Sequence, residues 1–153
     1  MMKIINKKIV EPAKQLFNKI YHINDTPEKI ALGFAIGAFI GIFPTFWLGG
    51  LISVWICSLL KLNYISAIIG SVIIMNPITT PIFWTLSALL GSAIFSDDSQ
   101  QVIDAIKSGT VLKSFDKIAL IYLTGNIIIA FVVSVVSYLI IKKIVIKRNR
   151  KDI

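Results

Sequence analysis

Two long apolar runs dominate the chain. From Ile30 to Ser96 Lys61 is the only charged residue, and from Ile118 to Ile141 there is none. Both runs exceed the roughly 18 to 20 apolar residues that cross a bilayer as a helix. The pattern therefore predicts an all-α, polytopic integral membrane protein with helices broken at prolines. The first run is punctuated. Asn24-Asp25-Thr26-Pro27-Glu28 reads as a helix start, with a capping side chain, a proline at the first position and an acid in the first turn. Gly33, Gly37 and Gly41 follow at a spacing of four, which puts them on one helical face where backbones in lipid can approach closely. The helix should stop before Pro44, because the residue preceding a proline resists helical geometry. Helix resumes over Leu51–Leu60, and Lys61-Leu62-Asn63 is the one polar interruption. A second break, Met75-Asn76-Pro77-Ile78-Thr79-Thr80-Pro81, precedes helix to about Phe95. Ile36-Gly37, Ile40 and Pro44 recur 33 positions later (69 − 36) as Ile69-Gly70, Ile73 and Pro77. This suggests an internal helix–break–helix repeat.

The division that follows is a basic amphipathic leader over 1–25, a membrane domain over 26–141 and a basic tail over 142–153. Ile5, Ile9, Ala13, Leu16, Phe17 and Ile20 recur at near-helical spacing in the leader, so it is expected to lie on the membrane surface. About four crossings are expected: 27–44, 46–60, 64–95 broken at 76–81, and 118–141, with an extramembrane segment over 97–117. Half-spans as short as Tyr64–Met75 keep a rival arrangement of two re-entrant hairpins open.

Charge gives the orientation. Six lysines precede the first run and six basic residues follow the last, whereas 97–117 holds four acids against three lysines. Basic residues flanking the spans mark the cytoplasmic side. Both termini and Lys61 are thus expected inside the cell, in a bacterial cytoplasmic membrane, against anionic lipid headgroups. The net charge of +8 is explained without nucleic acid, since no basic patch interleaved with aromatics is present. Only 16% of residues are charged and mean hydropathy is +0.80, too little polar surface to cover a soluble enzyme. The single Cys57 and single His22 give no metal-ligand spacing. No paired carboxylates, nucleophile–base set or phosphate-cradling loop occurs, so neither catalysis nor a cofactor is expected.

The remaining chemistry lies in the breaks. Freed backbone groups cannot be satisfied by lipid and must be paired within protein or face a wet cavity. Thr45, Asn76, Thr79 and Thr80 are the side chains placed to do this, or to face a substrate as the broken helices of transporters do. Pro44, Lys61, Asn63, Pro77 and Pro81 complete the candidate set. Asn126, in the middle of the last run, reads as an interhelical hydrogen bond.

Several of these elements resemble one bacterial membrane family. Thr26-Pro27-Glu28-Lys29-Ile30-Ala31-Leu32-Gly33, Gly41-Ile42-Phe43-Pro44, Leu60-Lys61-Leu62-Asn63 and Asn76-Pro77-Ile78-Thr79-Thr80-Pro81 are similar to the family called domain of unknown function 2062. The bulky Thr45-Phe46-Trp47-Leu48 departs from that family's glycine after the first proline. The resemblance implies no activity. Fusion of some members to glycosyltransferases acting on lipid-phosphate carriers implies an association with envelope lipid or glycan metabolism. Two functions are therefore expected to compete. One is a small transporter or lipid-handling protein. The other is a non-catalytic module that anchors or organises envelope lipid and glycan enzymes, as a homo-oligomer or with a glycosyltransferase partner.

Overall fold

The structure is a computed structural model that describes residues 15–16, 18–20, 22–43, 45, 48–76, 78–95, 107 and 115–149. Among these, the long elements are all helices: α1 (Pro27–Ile42), α2 (Gly49–Leu59), α3 (Tyr64–Ile74), α4 (Thr79–Phe95) and α5 (Phe115–Asn149). Helix α1 begins where the sequence signals it. Thr26 Oγ1 accepts from Lys29 N at 3.4 Å, Pro27 occupies the first turn, and Glu28 sits at the positive end of the helix dipole. Helix α2 ends in a Schellman turn: Leu62 N donates to Cys57 O at 2.8 Å and Lys61 N to Ser58 O at 3.2 Å. Lys61 takes the left-handed position there, at φ 54°, where glycine is the usual occupant. Asn63 then caps α3, its Oδ1 accepting from Ser66 N at 2.9 Å.

Helices α1 and α3 run parallel and touch backbone to backbone. Gly33, Gly37 and Gly41 face α3. A Cβ on Gly37 would overlap the Ala67 carbonyl, one on Gly33 the Asn63 carbonyl, and one on Gly41 would lie 3.1 Å from Ser71 O. The contacts are reciprocal. Gly70 meets the Phe34 carbonyl as Gly37 meets Ala67. Ser66 Oγ donates to Ile30 O at 2.6 Å where Gly33 meets Asn63. Each pair maps onto the other by adding or subtracting 33, so a two-fold rotation about an axis along the helices exchanges α1 and α3.

Helix α5 packs antiparallel on α1. Lys142 Nζ lies 3.2 Å from Glu28 Oε1, Ser134 Oγ donates to Ala35 O at 3.0 Å, and Asn126 Nδ2 donates to Ile42 O at 3.2 Å. Helix α4 crosses the start of α5 through Gly91 against the Ile121 carbonyl and Gly125 against the Ser87 carbonyl. Small residues at such contacts let dispersion forces hold apolar helices together without a hydrophobic driving force. The main core joins Ile30, Ala31, Phe34 and Ala38 of α1 to Ile69 of α3 and to Ile141 and Val145 of α5.

The segment 64–95 is divided into α3 and α4, which diverge by 78°. Among the described residues only Ile118–Arg148 is long and apolar enough to cross a membrane alone; α1 has 16 residues and α2 has 11. Of the leader, residues 15–16, 18–20 and 22–25 are described. Ile20 is fully buried in the main core and Leu16 packs against it, because Ile141 and Val145 offer them a protein face.

Candidate functional site

The sequence candidates fall at opposite ends of the α1/α3 pair. At the far end are the two breaks. In the second, Asn76 joins the helices it separates. Its Nδ2 donates to Ile73 O at 2.9 Å, and its Oδ1 accepts from Ile78 N at 3.0 Å and Thr79 N at 3.1 Å. Asn76 O accepts from Thr80 N at 3.0 Å and Thr80 Oγ1 at 2.8 Å, while the Thr79 hydroxyl donates to Ile74 O. Pro81 stands in the first turn of α4, where its missing N–H breaks no helical bond. These polar side chains are all engaged within the break. Pro77 and Pro44 lie outside the described residues.

The first break is served from elsewhere. Phe43 is extended (φ −65°, ψ 143°), leaving Ile42 O at the end of α1. That carbonyl takes its donor from Asn126, 84 residues away, whose Nδ2 also lies 3.3 Å from Ser87 Oγ and 3.5 Å from Tyr122 OH. Asn126 is fully buried, and its Oδ1 has no donor among the described residues; the buried Thr45 Oγ1 and Ser92 Oγ also lack partners there. Thr45 pairs the first break through its main chain, N donating to Phe43 O at 2.7 Å and O accepting from Leu48 N at 2.9 Å, and not through its hydroxyl. A Cβ on Gly49 would lie 2.7 Å from Thr45 Oγ1, so a larger residue there would force that hydroxyl to move.

Lys61 and Asn63 belong to the near end. Asn63 Nδ2 donates to Asp25 Oδ2 at 3.2 Å and Asn63 N to Lys29 O at 3.4 Å, tying the start of α3 to the start of α1. Asp25 also lies 3.9 Å from Lys29 Nζ. The near end gathers Lys19, Lys29, Lys61 and the Lys142–Arg148 part of α5, where Arg148 donates to Ile23 O at 3.2 Å. Glu28, ahead of the uncharged run, has its carboxyl held below the usual range by its hydrogen bond to Lys142.

A cleft of about 490 Å³ opens at this end, lined by Gln15, Asn18, Lys19, His22, Ile23, Asn24, Asn63 and Ile65. Of these only Asn63 stands out in the sequence as a candidate. Ile65 belongs to α3 and the other six to the leader, and their convergence depends on Ile20 docking into the core. Ser87 and Tyr122 were also not singled out, although Ser87 and Gly91, four apart, carry the small-residue signal of a packing face. No group of three His, Cys, Asp or Glu gathers among the described residues. What both ends offer is hydrogen bonding and, at the near end, positive charge.

No curated protein and no solved structure matches the chain. A family model described as an uncharacterized protein conserved in bacteria (DUF2062) matches residues 10–153.

Proposed function

We propose, from the premise that this chain belongs to the DUF2062 family of bacterial proteins, that it is a lipid-handling protein of the cytoplasmic membrane that gives a polar headgroup a path into the bilayer. The proposed topology keeps both termini and the Lys61 turn in the cytoplasm. Helix α5 crosses, and α3 with α4 makes one bent crossing. The α1–α2 pair is a hairpin that enters and leaves on the basic side, in place of two crossings over 27–44 and 46–60. Its depth follows from α5. Asn126 lies 16 residues (142 − 126) from Lys142, about 24 Å along the helix. The end of α1, bonded to Asn126, thus lies about 6 Å short of the far edge of a ~30 Å hydrocarbon layer.

One observation carries the reading. The first break ends inside that layer beside two buried oxygens, Asn126 Oδ1 and Thr45 Oγ1, that lack donors. An unpaired buried acceptor costs about 1–3 kcal/mol, which the hydroxyl or amine of an entering headgroup would offset. No Asp, Glu, Lys, Arg or His occurs in the last run, so coupling to ions or protons has no carboxylate, amine or imidazole to use there. Downhill movement of an amphiphile needs none.

The test is inter-leaflet movement of a fluorescent phosphatidylglycerol in proteoliposomes, read by quenching with an impermeant reductant. Movement faster than in empty vesicles, slowed by Asn126→Leu at unchanged fold, is expected. Movement equal to that in empty vesicles would remove the proposal. The self-satisfied second break and the tight α1–α3 contact favour a second reading: a module that anchors envelope lipid or glycan enzymes, by self-association or with a glycosyltransferase. That reading predicts co-purification with such an enzyme and no lipid movement.

A further inference from the structure

We infer that the near-end cleft is a binding site for one lipid with a net anionic phosphate headgroup, seated between the docked leader and the start of α3. The inference rests on the lipid-handling reading and names the place where a headgroup is first held. Three observations converge. The first is charge. Lys19 lines the cleft with no ion-pair partner among the described residues, whereas Asp25 and Glu28 at this end are engaged: Asp25 lies against Lys29 and Glu28 against Lys142. A phosphate entering the cleft therefore meets the Lys19 ammonium.

The second is the neutral polar lining. His22 Nδ1–H donates to Asn18 O at 2.8 Å, which fixes the ring and leaves Nε2 of the neutral imidazole as an acceptor available to a headgroup hydroxyl. The Asn18, Asn24 and Asn63 side chains line the same space. Asn63 is held by Asp25 and by its cap on Ser66, so that wall is rigid. Phosphate oxygens take several such amide donors at once.

The third is what continues below. Ile65 lines the cleft and also begins an exposed apolar stripe with Ile68 and Val72, beside Tyr64, on one face of α3; these four are between 40% and 50% exposed. Spacings of three and four keep the stripe on one face of the helix. A polar, cationic cleft above an apolar helical stripe matches an acylated phosphate better than a free phosphate ion. A soluble anion would leave the stripe unused.

Native mass spectrometry of the full chain in detergent, with added phosphatidylglycerol or phosphatidylcholine, tests this. Wild-type protein should retain phosphatidylglycerol at least tenfold better. Lys19→Gln/His22→Ala should lower that retention at least fivefold, and Lys19→Arg should keep it. The control Lys143→Gln/Lys147→Gln removes at least as much charge from the same end, outside the cleft, and should change retention less than twofold. Equal losses in cleft and control variants would overturn the site in favour of diffuse attraction. Displacement of the lipid by millimolar glycerol 3-phosphate would overturn the lipid and leave a soluble phosphate ester as ligand. Circular dichroism verifies folding, and because Lys19 is exposed, Lys19→Gln alone gives the same reading if the double variant misfolds. The two proposals fail separately. Lipid movement with unchanged binding by the cleft variant removes this site alone. Site-specific binding without movement leaves the site and removes the translocation reading.

Discussion

Replacing Asn76 with alanine removes three hydrogen bonds in one step. Ile78 N and Thr79 N lose their acceptor at the start of α4, and Ile73 O loses its donor at the end of α3. The first loss resembles deletion of an N-cap, about 1 kcal/mol. The second leaves a part-buried carbonyl unpaired, for about another 1–2 kcal/mol. No neighbour substitutes, because the Thr79 hydroxyl is bonded to Ile74 O and the Thr80 hydroxyl to Asn76 O. The total is about 2–3 kcal/mol. Thr79→Ala removes one donor and should cost about 1 kcal/mol. Asn126→Ala exposes Ile42 O but also deletes the unpaired Oδ1, so it should fall between them. Asn76→Ser separates the two contributions: a serine can cap α4 but is too short to reach Ile73 O, and about half the loss should return. The assay is reversible denaturation in mixed micelles followed by far-ultraviolet circular dichroism. If Asn76→Ala unfolded within 0.5 kcal/mol of wild type, or if serine did no better than alanine, the capping account of this break would be wrong.

Gly37→Ala should already destabilise, by about 1–3 kcal/mol, because its Cβ meets the rigid Ala67 carbonyl, and Gly37→Leu should prevent α1 from seating on α3; native-like unfolding of the leucine variant would mean that this face is not packed. Lys61→Gly should raise stability by about 1 kcal/mol, since it relieves a left-handed backbone at φ 54°, and a loss in the same denaturation assay would count against the Schellman assignment. In a Cys57→Ser background, an impermeant thiol reagent added to whole cells should label Asp104→Cys and spare Lys8→Cys, Lys147→Cys and Thr45→Cys. Labelling at position 45 would instead restore two full crossings over 27–44 and 46–60.

Local chemistry in the sequence reads well where a residue acts on its own backbone. The start of α1 at Thr26-Pro27-Glu28 and the second break around Asn76 are both set within a few residues, so composition and spacing reveal them. The Gly33/Gly37/Gly41 face is legible because four-residue spacing fixes a face before any partner is known. The partner of that face is not legible: α3 meets α1 only through folding. The 78° divergence at residues 75–78 is of the same kind, set by α4 docking Gly91 and Ser87 on α5. Grouping Thr45 and Asn76 with Lys61 and Asn63 as one site follows their order in the chain, yet α1 separates the two groups by about 24 Å. The donor for Ile42 O and the wall of the cleft come from side chains 84 residues away and from the docked leader, and neither carries a local pattern.

The two-fold that exchanges α1 and α3 runs along the helices, and this has a consequence for how such a chain can arise. Rotation about that axis leaves the two faces of a membrane unchanged. Two copies of a helix–break–helix peptide, inserted in the same orientation, would make the same Gly37–Ala67 and Gly70–Phe34 contacts with no covalent link. Joining them in tandem requires only that the first copy return to its starting side, which α2 and the Lys61 turn accomplish. The first arms then stay interchangeable while the second arms diverge. Helix α2 folds back toward the basic side, and α4 departs at 78° toward α5. A tandem repeat of this kind therefore leaves its second arms free to differ, provided that the paired first arms keep their geometry.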